Sequence, residues 1–373
     1  MENPAWRCFR MRPRERWLAA VKLLPVDRLP FWPKLDAAYP PAQQPPFNGM
    51  SLAEIHAFIG SDQHVWLPAC IRTVRSRTSV ETITRGGERV TLYKVSGGKL
   101  ERRDHWDAPS QSWHPVQFPV RTVEDVKILA EIFADAAVEP NSDALAKTQG
   151  AVKSLGDNTV IAASIGTSPL MEWVEWLAGI ENAHYMLADA AEEVEGLFAV
   201  MQKRLVRTAE VAASSCPADL LYLVENTSTT LISPLQYERY CFPHVSECGR
   251  IIRSAGRLFV LHMCGRLKAL LPLLAEIPAD AFEAFTSPTL GDTTLLDGRA
   301  ACPDKCLIGG TNAVLWTKPA ETIIAQVEKD LDALPHHRGI VVTSAGVMPP
   351  LCTPQTIKTV CGWLKNRPSC FGG

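Results

Sequence analysis

Phe259-Val260-Leu261-His262-Met263-Cys264-Gly265 is a short apolar run that ends in two metal-capable side chains, followed by a glycine and the start of a helix. Side chains alternate across a strand, so His262 and Cys264 point to one side and Met263 to the other. An imidazole and a thiol are thereby aimed at a single point. If the run is one of several parallel strands, that point lies at a carboxyl end, where α/β barrels keep their chemistry. Two local donors fall short of the three or four that zinc needs. A buried free cysteine beside a hydrogen-bonded histidine is the plain alternative.

Outward from this run, strands and helices alternate from about residue 121 to the end. The pattern predicts strands at Asn158 to Ile165, Asp219 to Val224, Ala279 to Phe285, Lys305 to Gly310 and Gly339 to Ser344. Helices are predicted between them; over residues 189–213, Ala190, Val194, Leu197, Phe198, Met201 and Leu205 recur near the helical period. Asp27 to Pro33 reads as a first strand, after a helix from Pro13 to Lys22. Some seven or eight strand-and-helix units predict a parallel sheet that closes into an (α/β)8 TIM barrel. An open doubly wound sheet is the alternative, but no Gly-x-Gly-x-x-Gly turn supports a dinucleotide site. Between Cys70 and Phe118 the pattern changes to β-rich alternation broken by Gly86-Gly87 and Gly97-Gly98, which reads as hairpins. The fold class expected is therefore α/β: one barrel over residues 1–373 with an N-terminal β-rich hairpin insertion at about 70–118.

Of the 373 residues, 46% are hydrophobic and 21% charged, the balance of a globular protein rather than a disordered or fibrous one. The formal charge is −2 and no basic block is longer than Arg102-Arg103, so no nucleic-acid partner is expected. No apolar run approaches the ~20 residues of a membrane span, and Met1 to Arg7 lacks the apolar core of a signal peptide. These features predict a cytoplasmic protein with no membrane partner. The 11 cysteines, from Cys8 to Cys370, are scattered and read as reduced thiols rather than a disulfide framework. Cys302 and Cys306 lack the second pair that a zinc knuckle needs.

If the sheet closes, the strand ends share one rim: Trp32-Pro33-Lys34, Gly166-Thr167-Ser168, Glu225-Asn226, His262-Met263-Cys264, Thr286-Ser287-Pro288, Gly310-Thr311-Asn312 and Ser344-Ala345-Gly346. Ser168 and Ser233, each before a proline, read as helix caps. Glu225 directly follows a buried strand and needs a partner there; it reads as a metal ligand, a general base or a substrate anchor. Trp106 and Trp113 read as packing against the main body, with a pocket lining as the alternative.

Several of these segments together resemble the uroporphyrinogen decarboxylase superfamily. They are His262-Met263-Cys264-Gly265, Ser233-Pro234, Thr286-Ser287-Pro288-Thr289-Leu290-Gly291-Asp292, Gly309-Gly310-Thr311-Asn312 and the stretch from Ser344-Ala345-Gly346 to Thr353-Pro354. Arg12 to Trp17 and Asp27 to Phe31 resemble that family's opening helix and first strand. More narrowly, the chain looks like the corrinoid-dependent methyltransferase branch, which includes methylcobamide:coenzyme M methyltransferases and O-demethylating enzymes. The resemblance implies a barrel with a zinc ion held by the His-x-Cys pair and a later cysteine. Here Val347 stands where that cysteine is expected, and Cys352, five residues on, is the substitute the segment offers. The arginine-rich motif that grips porphyrin propionates is absent from Phe31 to Asp36, so porphyrin decarboxylation is not expected.

The resemblance thus implies a zinc-dependent methyltransferase that moves a methyl group between a small methoxy, methylamine or thiol compound and a corrinoid (cobalamin) supplied by a partner protein. His262, Cys264 and Cys352 are the metal ligands; Glu225 and His262 are catalytic; Asn226, Thr286, Asp292 and Asn312 line the substrate site. A homodimer is left open. The competing expectation is a decarboxylase or lyase of the same superfamily that acts on a small acid without corrinoid, with His262 as proton donor.

Overall fold

The computed structural model describes residues 10–108 and 112–367. Met1 to Arg7, Cys8 and Cys370 lie outside them. Eight strands form one sheet, and every pairing in it is parallel. In chain order they are Phe31–Trp32, Gln63–Trp66, Thr159–Gly166, Leu220–Val224, Leu258–His262, Ala281–Phe285, Cys306–Gly309 and Ile340–Thr343. Each pairs with its predecessor from the third onward, and the eighth returns to pair with the first. This is the TIM barrel.

The ring closes between the first two strands through one residue. Asp62 donates its backbone N–H to the Phe31 carbonyl at 2.8 Å, and its carboxylate accepts the Phe31 N–H at 3.0 Å. Asp62 is fully buried, so its charge needs compensation. Arg16 and Arg28 supply it at 2.5 and 2.7 Å, while the Trp17 indole donates to the Asp62 carbonyl at 3.1 Å. The first helix, Pro13–Val21, thereby plugs the amino-terminal end of the barrel.

Alternation along the strands divides the core into two clusters, as the strand period requires. Val160, Ala162, Leu220, Tyr222, Val260, Ala281, Cys306, Ile308 and Val341 fill the interior with Trp17 and Trp32. Residues between them, such as Leu221, Phe259, Leu261, Phe282 and Leu307, face the helices. Val224 and His262 continue the inward-facing series of their strands, and Glu283 lies two residues beyond the inward Ala281.

The β-rich region resolves into two parts. Ile71–Val74 pairs with Ala137–Pro140, and four antiparallel strands span Ser79–Arg85, Glu88–Val95, Gly98–Asp107 and Ser112–Gln117. Ile71–Val74 pairs with a segment beyond the insertion, and Ser112–Gln117 adds a fourth strand to the hairpins. Trp106 and Trp113 are cross-strand partners with ring centroids 5.3 Å apart, which satisfies both rings within the small sheet. The second barrel strand, Gln63–Trp66, escaped the sequence reading: it is four residues long, and His64 sits in its middle.

Candidate active site

His262 ends the fifth strand and Cys264 follows two residues later. Gly265 carries φ +139°, and a Cβ on it would lie 2.6 Å from the Ser228 side chain, so the turn after Cys264 closes only around glycine. Glu283 on the sixth strand is the register partner of His262. Its carboxylate bonds His262 Nδ1 on one side and takes Lys34 Nζ at 2.9 Å on the other. Lys34 arrives from just beyond the first strand, three strands away around the ring.

The charges in this trio are set by each other. Burial pushes the His262 imidazole down, but the Glu283 charge, with hydrogen bonds to Cys264 and Glu283, outweighs it and raises His262 to about 9. Burial likewise raises Glu283, and the charges of His262 and Lys34 hold it well below the carboxylate range. In the metal-free protein the Glu283 charge thus favours the protonated form of His262.

A second chain of contacts leaves from the thiol. Cys264 Sγ donates to Asn226 Oδ1 at 3.6 Å, and Asn226 Nδ2 donates to Glu175 Oε2 at 3.1 Å. Asn226 sits at φ +48°, a left-handed conformation that asparagine tolerates better than most residues. Glu175 lies in a π-helical turn, Trp173–Leu177, just after the third strand. Such turns often occur at functional sites. Burial pushes the Glu175 carboxyl up to about 7, against the Asn226 hydrogen bond and the His262 charge.

The remaining expected residues are placed elsewhere. Glu225 is fully buried, and its oxygens accept from Ser168 N at 2.6 Å and Ser168 Oγ at 2.5 Å. Ser168 Oγ also lies 3.6 Å from Cys241 Sγ, in the layer between strands and helices. Glu225 braces the third βα turn, and Ser168 is its partner and makes no side-chain cap bond. Ser233 does cap its helix. Asp292 is spent on the backbone N–H groups of Leu267 and Lys268, at 2.7 and 3.0 Å. Thr286 donates to the Ala284 carbonyl at 2.6 Å, and Asn312 donates to Ser287 and Pro288 and accepts from Leu315. These three bond the loops around them; of the four lining residues expected, Asn226 is the one hydrogen-bonded to the His262–Cys264 segment.

Cys352 also corrects. It is buried, burial pushes its thiol up to about 12, and its carbonyl receives the Tyr39 hydroxyl. Among the described residues no three His, Cys, Asp or Glu side chains are gathered to hold a metal ion, so Cys352 does not complete a set with His262 and Cys264. Cys302 and Cys306 divide between the two core clusters.

Glu283, Lys34 and Glu175 were not singled out from the sequence. Lys34 was placed at the rim without a role. Glu283 had a readable signal, a lone carboxylate within the apolar run Ala281–Phe285, which burial makes costly unless paired. Glu175 had none, because it stands in an ordinary amphipathic helical pattern.

A closed parallel barrel with its titratable cluster at the carboxyl rim defines an enzyme fold of the TIM-barrel class. Residues 111–366 match the uroporphyrinogen decarboxylase (URO-D) family, and the chain belongs to it. No curated protein sequence matches it. Among solved structures it is similar to a methyltransferase from Methanosarcina mazei, with 14% identity over 95% of this chain and 98% of that one and a TM-score of 0.59. A putative vitamin-B12 independent methionine synthase from Listeria monocytogenes gives a TM-score of 0.39 at 14% identity, over 60% of this chain and 68% of that one. Among the described residues, no helix is long and apolar enough to cross a membrane.

Proposed function

We propose that this chain is a methyltransferase that moves a methyl group between a small methoxy, methylamine or thiol compound and a corrinoid carried by a separate protein. The observation that carries this reading is the pair His262 and Cys264, offered together at the barrel mouth with Glu283 fixing the histidine ring. A metal-bound histidine usually gives its other nitrogen to a carboxylate, which is the part Glu283 plays here. The donor types, imidazole and thiol, suit zinc. His262 and Cys264 would hold the ion, and a substrate thiol would supply a further donor. A zinc ion there would favour the deprotonated, nucleophilic form of a bound thiol, which methyl transfer needs.

The rim also suits a protein partner. Leu290, Val314, Val347 and Leu351 are exposed on the loops after the sixth, seventh and eighth strands. A corrinoid protein docking on this rim would cover them.

Metal analysis of protein purified without chelators, with methyl transfer from methylcobalamin to a panel of thiols and demethylation of methoxy-aromatics and methylamines, tests the reading. We expect one zinc per chain, lost in His262→Ala and Cys264→Ser. Absence of zinc, with activity indifferent to both substitutions, removes it.

A second reading has its own observation. Glu283 raises the His262 imidazole and so favours its proton-donating form at the end of the fifth strand. That arrangement suits a decarboxylase or lyase acting on a small acid, which predicts turnover without corrinoid and tolerance of Cys264→Ser.

A further inference from the structure

A cavity of about 720 Å³ opens at the amino-terminal end of the barrel, the end opposite the His262 rim. Four cations line it, Arg10, Arg16, Arg28 and Lys365, against one carboxylate, Asp27. The buried Asp62 lies behind its wall and is the second carboxylate that these cations meet. Arg16 takes Asp27 at 2.6 Å and Asp62 at 2.5 Å, and Arg28 takes Asp62 at 2.7 Å. Two arginines and two carboxylates cancel. Arg10 and Lys365 are left over, because among the described residues neither has a carboxylate within ion-pair distance. His56, also on the wall, adds no charge: burial pushes its imidazole down to about 4, and its Nδ1 faces the Ser61 hydroxyl at 2.8 Å. The cavity thus carries two positive charges that the chain does not neutralise.

The donors converge. Lys365, near the end of the helix Pro354–Asn366, lays its Nζ over Gly60, where a Cβ would stand 2.4 Å from it; Gly60 ends the helix Leu52–Ile59 with φ +75°. Lys365 and Arg28 both lie close enough to Cys361 to act on its thiol, so they approach one another across the wall. Arg28 spends Nη1 on the Leu29 carbonyl and Asp62, and one Nη2 hydrogen on Asp62. Its Nε–H and second Nη2 hydrogen are unused.

We propose that this cavity binds a doubly charged oxyanion, the phosphate group of a small molecule. The Arg28 guanidinium offers the planar donor edge that suits phosphate oxygens, and Arg10 and Lys365 supply the two charges that balance a dianion. The volume lies within the range of small-molecule sites and leaves room beyond the phosphate for the group that carries it. Bound there, the anion ties the segment before the first helix to the last helix, beside the Asp62 junction that closes the ring. The site is separate from the His262 cluster and does not depend on the methyl-transfer reading.

The test uses the full chain and inorganic phosphate at about pH 8, where phosphate is mostly doubly charged, with ionic strength held constant by potassium chloride. Calorimetric titration should show saturable binding of one phosphate per chain, and the melting temperature should rise with phosphate concentration. Arg10→Gln and Lys365→Gln should each weaken binding about tenfold, the size of one charge-assisted contact. Neither should move the melting temperature in chloride alone, since neither side chain holds a carboxylate. Lys99→Gln, on the hairpin sheet, should leave phosphate affinity unchanged. Acetate, with a single charge, should bind at least tenfold more weakly than phosphate, roughly the loss of one such contact. The proposal is overturned by an absence of saturable phosphate binding, by acetate binding as tightly as phosphate, or by Lys99→Gln weakening binding as much as Lys365→Gln, which would mark diffuse attraction to the surface.

Discussion

Glu283 and His262 are direct register partners on adjacent strands, and the Glu283 carboxylate divides its two oxygens between His262 Nδ1 and Lys34 Nζ. Three elements far apart in sequence are thereby locked at the barrel mouth. Removing the central charge leaves a buried imidazolium and a lysine without compensation, a loss of about 3–5 kcal/mol for a buried pair. Glu283→Gln should destabilise the metal-free protein by an amount of that order.

The sign of its pH dependence follows from the shifts. His262 is raised, to about 9, so its share of the stability is complete below its unfolded value near 6.5 and fades as pH rises toward 9. Glu283 is lowered, so its share is present above about 4.5 and fades toward low pH. Melting curves should therefore separate wild type from Glu283→Gln most between about pH 4.5 and 6.5 and converge as pH approaches 9. A gap that widens with alkaline pH would contradict the coupling.

Glu225 should behave in the opposite sense. Burial, with the Glu175 charge behind it, pushes this carboxyl up to about 7 against two Ser168 hydrogen bonds. A raised carboxyl contributes stability below its unfolded value near 4.5 and loses it as pH rises through 7. Glu225→Gln can keep both Ser168 contacts, with its carbonyl on the N–H and its amide on the hydroxyl. It should therefore stabilise the fold above pH 7, on the order of 2 kcal/mol, and make little difference near pH 4.5. Calorimetry at pH 5 and pH 8 reads the difference directly.

Much of the barrel was legible because its strands are apolar runs separated by single helices, and the His262-Met263-Cys264-Gly265 run pointed to the mouth once the neighbouring strands were read as parallel. The exceptions have physical causes. Gln63–Trp66 is short and carries His64, so neither length nor apolarity announced it; Ser112–Gln117 contains Pro115 and sits at the edge of its sheet, where proline is tolerated. Within the site, the reading located strand ends but not side-chain direction beyond them. Glu225 and Asn226 are neighbours, yet one turns to the helix layer and the other to Cys264. Partners such as Lys34 and Glu283 are brought together by closure of the ring, which spacing along the chain does not reveal.

Closure itself supplies the last prediction. The first and second strands are short, and the link between them runs through Asp62, whose backbone and carboxylate both bond Phe31. Arg16 and Arg28 meet on the same carboxylate. Asp62→Ala would strip the Phe31 N–H of its acceptor and leave Arg28 with the Leu29 carbonyl alone among these contacts, while Arg16 keeps Asp27 and Met11. The loss should reach about 3–5 kcal/mol, as when one partner of a buried ion pair is removed. Asp62→Asn retains an acceptor oxygen for Phe31 but not the charge, so it should cost less. Because Phe31–Trp32 leads directly to Lys34, the damage should spread to the mouth: hydrogen exchange should rise first in the backbone of residues 29–34, and the Asp62→Ala protein should lose part of the alkaline shift of His262 seen by NMR titration. If exchange instead rises uniformly around the barrel, Asp62 serves global stability and the first strand is held by its pairing with Ile340–Thr343.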